Sequence, residues 1–158
     1  MPNVLTQVAI FKGIPLDGLA RLAEQGIRRT FPAGSQLMRQ GEPGDTLHIV
    51  AQGLVVVERS HPALTDVVVL AELGPGEVVG EMGVLDGDPR SATVTAVEET
   101  ETLELSADAV AEIITRHPEV SAVLLRTLSC RLRSTDELVA QMLSKTRGQA
   151  ERAANGPF

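Results

Sequence analysis

Residues 80–94 read Gly-Glu-Met-Gly-Val-Leu-Asp-Gly-Asp-Pro-Arg-Ser-Ala-Thr-Val and gather groups suited to a small anion joined to a hydroxylated sugar. Gly80 can end a strand and open a short helix while letting a ligand come close to the backbone. The N–H groups of Glu81, Met82 and Gly83 would then lack acceptors within the helix and would attract an anion. Arg90 stands ten residues after Gly80, beyond a loop that Gly87 and Pro89 can turn sharply. Its guanidinium offers a phosphate a planar fork of donors. A carboxylate at Glu81 repels phosphate but accepts a hydrogen bond from a ribose hydroxyl. Ser91 adds a hydroxyl and an N–H at the same place, and Ala92 leaves room. A plainer reading of the same residues is a glycine turn with Arg90 paired to Glu81 or Asp88.

The elements that must position these groups follow from periodicity. Leu16, Leu19, Leu22 and Ala23 recur at helical spacing with Asp17 near the start, and Gly13 and Pro15 separate them from a shorter helical piece around Val4–Phe11. From about Ile27 to Leu105 the chain breaks into short β-rich runs with glycine and proline between them. Strands are expected at Ile27–Phe31, Gln36–Arg39, Thr46–Ala51, Leu54–Arg59, Asp66–Glu72, Val78–Val79, Ala92–Val97 and Thr102–Leu105. About eight short strands at this spacing suggest a jelly roll or barrel. Ser106 is a suitable N-cap for a helix that His117 and Pro118 should end. A second helix is expected from Pro118 to about Leu143, with Val120, Leu124, Leu128, Leu132, Thr135, Val139 and Met142 along one side. That stripe either covers the barrel or pairs with the same helix of a second subunit. After Ser144 the small, polar composition predicts a frayed tail.

Composition removes several classes of function. At 158 residues the chain suits one domain, and no apolar run is long enough to span a bilayer, nor does the N-terminus read as a signal peptide. Cys130 is the single cysteine, so no internal disulfide can form, which suits the cytoplasm. A net charge of −7 argues against a general nucleic-acid binder. Residues 116–152 nevertheless carry seven basic and four acidic side chains, a local +3 that reads as a solvated face or a dock for an acidic partner. Trp and Tyr are absent, so neither can hold a nucleobase by stacking. His48, His61 and His117 are scattered without metal-ligand spacing, and no nucleophile elbow or Walker loop is present. No metal, cofactor or catalytic residue is therefore expected, and the chain reads as a binding module rather than an enzyme.

Gly80-Glu81-Met82 followed by Arg90-Ser91-Ala92-Thr93-Val94 resembles the phosphate-binding cassette of cyclic nucleotide-binding domains. That family includes bacterial catabolite activator proteins, regulatory subunits of cyclic-AMP-dependent kinase and cyclic-nucleotide-gated channels. Gly41-Glu42-Pro43-Gly44, then Leu47-His48-Ile49-Val50, then Gly53 matches the family's upstream glycine and apolar spacing, with His48 a departure expected to point outward. The resemblance implies an α+β, mainly β fold: an eight-stranded antiparallel jelly-roll β-barrel (27–105) between N-terminal helices (1–26) and C-terminal helices (106–145), with 146–158 as a flexible tail.

For the site, the resemblance implies that Glu81 binds the ribose 2′-hydroxyl and Arg90 the cyclic phosphate. Gly80, Met82, Ser91 and Ala92 would surround the sugar-phosphate. Leu85 would relay the tightening of the cassette to the C-terminal helices, and the last helix would close over the base. Ser91 favours cyclic AMP over cyclic GMP. Thr135 lies where the family's adenine-approaching Thr stands, although Asp136 departs from the Ser expected beside it. The expected partners are the cyclic nucleotide, an effector protein or domain, and a second copy through the last helix. Neither a membrane nor DNA is expected, because about fifteen residues after Leu143 are too few for a helix-turn-helix. The alternatives are a transcription-regulator effector domain without its DNA-binding part, and an interaction domain of this fold that binds no ligand.

Overall fold

Glycine and proline turns between β-branched runs divide the middle of the chain into eight strands. The computed structural model describes residues 5–8, 11–62 and 65–154. The strands are β1 (Ile27–Phe31), β2 (Gln36–Met38), β3 (Thr46–Gln52), β4 (Val55–Arg59), β5 (Val68–Leu73), β6 (Val78–Val79), β7 (Thr93–Ala96) and β8 (Thr100–Ser106). They form two four-stranded sheets in the orders β1-β8-β3-β6 and β2-β7-β4-β5. Every pairing in them is antiparallel. Val50 and Val79 from one sheet meet Met38, Val55, Leu73 and Val94 from the other in a buried cluster. This is the expected jelly roll, with every strand end within two residues of its expected place.

Helix α1 (Leu16–Gln25) precedes the roll and buries Leu19 and Leu22. Helix α2 (Glu81–Asp86) is inserted between β6 and β7. Helix α3 (Ala107–Arg116) follows β8, and the Ser106 hydroxyl caps it by accepting from the Ala109 N–H at 3.2 Å. It ends at His117, before Pro118, as the sequence requires. The short piece expected around Val4–Phe11 lies partly outside the described residues; within them the N–H groups of Val8, Phe11 and Ile14 donate to the carbonyls of Leu5, Val8 and Phe11.

Helix α4 (Glu119–Ala154) is longer than the sequence suggested. Gly148 costs about 1 kcal/mol against alanine, but the Ala- and Glu-containing run after it favours helix, and the next strong breaker is Gly156-Pro157. The chain divides into two compact units, one up to Val123 and the other from Leu124 onward. In the second unit the stripe splits: Leu124 is buried, whereas Leu132, Val139 and Met142 are exposed, as are Leu125 and Leu143.

His48 corrects an expectation. It does not point outward but is buried, at 3% exposure. Strand β3 lies between β8 and β6, faces the other sheet on one side and packs against α2, so Leu47–Val50 are all buried in succession. Both faces of this strand are interior, and alternation therefore has no solvent side to offer.

Candidate functional site

The cassette begins where β6 runs into α2. Gly80 occupies that junction at φ +84°, a conformation that side chains disfavour. A Cβ there would also strike Met38, the Arg90 guanidinium and the Thr46 carbonyl, so glycine is required on two counts. Helix α2 closes after six residues at Gly87, whose N–H returns to the Gly83 carbonyl at 3.1 Å. The Asp86 carboxylate then accepts from the Asp88 N–H at 3.0 Å, which shapes the expected tight return.

That return delivers Arg90 to the upstream glycine loop. The Arg90 N–H donates to the Glu42 carbonyl at 2.8 Å, and the Arg90 carbonyl accepts from the Gly41 N–H at 2.9 Å. Two segments nearly fifty residues apart are thereby joined at the backbone. The side chain is buried, at 9% exposure. Its Nη1 donates to the Thr46 carbonyl at 2.6 Å and to the Gly80 carbonyl at 3.3 Å, and Nη2 donates to the Thr46 hydroxyl at 3.0 Å. The guanidinium lies against Gly44, where any Cβ would collide with Nε and Cζ. Burial pushes its pKa below the usual arginine range, while the charges of Asp45 and Glu104 act in the opposite direction.

Donor arithmetic shows what remains. A guanidinium has five N–H groups. Three are committed to Thr46 and Gly80. The Nε hydrogen and the second Nη2 hydrogen have no acceptor among the described residues, and they border one edge of the plane. That edge is a ready fork for two oxygens of one anion.

The other expected residues gather unevenly. Glu81 is buried at the first position of α2, and Ala92 is buried beside Ser91. The Ser91 hydroxyl approaches the Met82 sulfur at 3.6 Å, so these two meet as expected. Met82 and Leu85 are each 45% exposed on α2, which touches α3. Thr135 stands in the second unit, exposed, its hydroxyl donating to the Arg131 carbonyl at 3.0 Å. Thr46 was missed altogether, since nothing in its neighbours announces a partner 44 residues away. Gly44 was noted for its spacing alone, and its contact with Arg90 emerges only in the fold.

Known proteins are similar to this chain. A family model described as the cyclic nucleotide-binding domain matches residues 28–117. A Mycobacterium tuberculosis protein described as a CRP-like cAMP-activated global transcriptional regulator is 33% identical over 143 residues, 90% of this chain and 63% of that one. A Thermus thermophilus cyclic AMP receptor protein is 42% identical over 109 residues, 69% of this chain and 50% of its own. The crystal structure of the Thermus thermophilus catabolite activator protein superposes with a TM-score of 0.75 at 38% identity, covering 86% of this chain and 63% of that one. The chain thus spans less than two thirds of the length of these regulators.

Proposed function

Because the chain belongs to the cyclic nucleotide-binding domain family, we propose that it is a sensor for cyclic AMP that signals by repositioning its C-terminal helices. The observation that carries this reading is the free Nε–Nη2 edge of a buried, three-point-anchored Arg90. An anchored fork spends little ordering entropy on binding an oxyanion. Arg90 takes the exocyclic phosphate oxygens, Glu81 the ribose 2′-hydroxyl, and Gly80, Met82, Ser91 and Ala92 the surface around them. Leu85, half exposed on α2, is the side chain through which the cassette acts on α3. The ligand shifts a population only as far as it prefers one arrangement over the other.

Cyclic AMP is preferred to cyclic GMP on two supports. Ser91 follows Arg90 directly, and two regulators similar to this chain are described as a cAMP-activated regulator and a cyclic AMP receptor. A role for Thr135 in that choice predicts that Thr135→Ala changes the ratio of the two affinities by a few fold, about 1 kcal/mol for a lost hydrogen bond.

The exposed stripe on α4 supports a homodimer. Leu125, Leu132 and Val139 lie seven residues apart, with Leu128, Thr135 and Met142 three residues after each. This is an a/d seam, and in a parallel pair it sets Arg131 of one copy near Asp136 of the other. Output through a further domain or a separate effector completes the proposal.

Calorimetry with cyclic AMP and cyclic GMP tests the reading. Saturable binding of cyclic AMP that Arg90→Ala removes is the expected result. No heat at millimolar nucleotide would defeat it.

A further inference from the structure

Phosphate and ribose recognition leave the buried His48 without a task. Thr46, His48 and Val50 alternate onto the same face of β3, and Val50 belongs to the cluster between the sheets, so His48 points into the roll. Across the ladder, His48 is in register with Glu104 and Val50 with Thr102. The His48 Nδ1 lies 2.9 Å from the Thr102 hydroxyl, and Nε2 lies 3.6 Å from the Glu104 carboxylate. Glu104 is held in turn by Arg29, whose Nε and Nη2 each donate at 3.1 Å. The edge of Phe31 completes the enclosure, 5.7 Å from the imidazole centroid at 68°.

This polar row ends one rung short of Arg90. Thr46 is the first residue of β3, pairs with the last residue of β8, and supplies two of the three acceptors that hold the guanidinium. The next inward rung on that face is His48 with Glu104, about 7 Å along the strand. A terminal rung is free to fray unless the one behind it is fixed.

We propose that His48 is a positioning residue for the phosphate-binding arginine: tied to Thr102 and Glu104, it fixes the rung behind Thr46 and so keeps Arg90 aimed before any ligand arrives. The consequence for affinity rests on the nucleotide-binding reading, whereas the consequence for the order of Arg90 does not. The imidazole suits this place because it stays neutral. Burial drives its pKa down to about 4, Glu104 opposes that, and Arg90 and Arg29 reinforce it. A neutral ring accepts from Thr102 and faces Glu104 with its remaining N–H without adding a second cation beside Arg90. The negative charge of Glu104 is left to favour the charged form of Arg90.

The test is the Arg90 Nε–H resonance in nitrogen-15 NMR spectra of ligand-free protein, assigned by its loss in Arg90→Lys. Wild type should give a resolved signal, displaced from those of exposed arginines by the fixed contacts of the guanidinium. His48→Phe should collapse it into the envelope of exposed arginines, and His48→Gln, whose amide reaches toward Glu104, should restore it. In parallel, His48→Phe should weaken cyclic AMP binding roughly three- to tenfold, and His48→Gln should recover most of that. Glu104→Gln puts the same question with little change of volume should the Phe variant fail to fold. An Arg90 signal unaltered in the folded variants overturns the proposal whether or not nucleotide binds. Absence of nucleotide binding in the wild type defeats the functional reading instead, while the Arg90 signal still decides the role of His48.

Discussion

The cassette and the exposed length of α4 solve opposite problems. Around Arg90 the chain has taken a charge out of water and matched three of its donors to acceptors that are fixed parts of the roll. Along α4 it has left Leu125, Leu132, Val139 and Leu143 in water, each between 49% and 66% exposed. A buried, satisfied polar group is rigid, because moving it leaves a donor or acceptor unpaired. An exposed apolar stripe is unfinished, because covering it is favourable at about 25 cal/mol for each Å² removed from water. One region is thus fixed in advance by its own partners, while the other leaves apolar surface uncovered within the chain.

The sharpest way to break that contrast is Arg90→Ala. It removes the fork altogether and should lower cyclic AMP affinity about a hundredfold or more, read by calorimetry, since each charge-assisted hydrogen bond contributes roughly 1.5–3 kcal/mol. Next comes the stripe. On the proposed pairing, analytical ultracentrifugation should find a dimer that Leu132→Asp with Val139→Asp abolishes, with the cassette's affinity left within a few fold. A protein monomeric at all concentrations before mutation would refute the seam.

Gly44→Ala is subtler, because it touches no ligand. Its methyl group would occupy the place of Nε and Cζ of Arg90, so affinity should fall about tenfold although the arginine is still present. Wild-type affinity in that variant would mean that the guanidinium has another place to lie.

The last effect is one of pH, read in stability rather than in affinity. The folded-state pKa of His48, about 4, lies below its ordinary value of 6.5. Between those values the unfolded chain binds the extra proton and the folded chain does not. Stability from this group is therefore complete above about pH 6.5 and is lost as pH falls toward 4, on the order of 3 kcal/mol in total. Thermal melts of His48→Phe should show a flatter acid limb than wild type across that window. Parallel limbs would place the imidazole in contact with solvent.

Much of the fold was legible because its signals are local. Gly and Pro mark the turns, β-branched runs mark the strands, and Ser106 and Pro118 mark the ends of α3. Gly80, Glu81, Arg90 and Ser91 were legible as a candidate site because their spacing sits within one short segment. Helix α4 extends past the polar stretch after Ser144 because helix propensity depends on backbone and rotamer entropy, and a polar composition does not lower it.

His48 marks the limit of such reading. Alternation says which residues share a face, but not whether that face looks at water; only the two sheets and α2 closing on β3 decide that. The same holds for Thr46 and Gly44, which meet Arg90 across the fold. The kinds of groups, their order and the turns between them are properties of the chain. Which acceptor satisfies which buried donor is a property of the packed structure, because desolvation makes those partnerships obligatory only once the surrounding strands are in place.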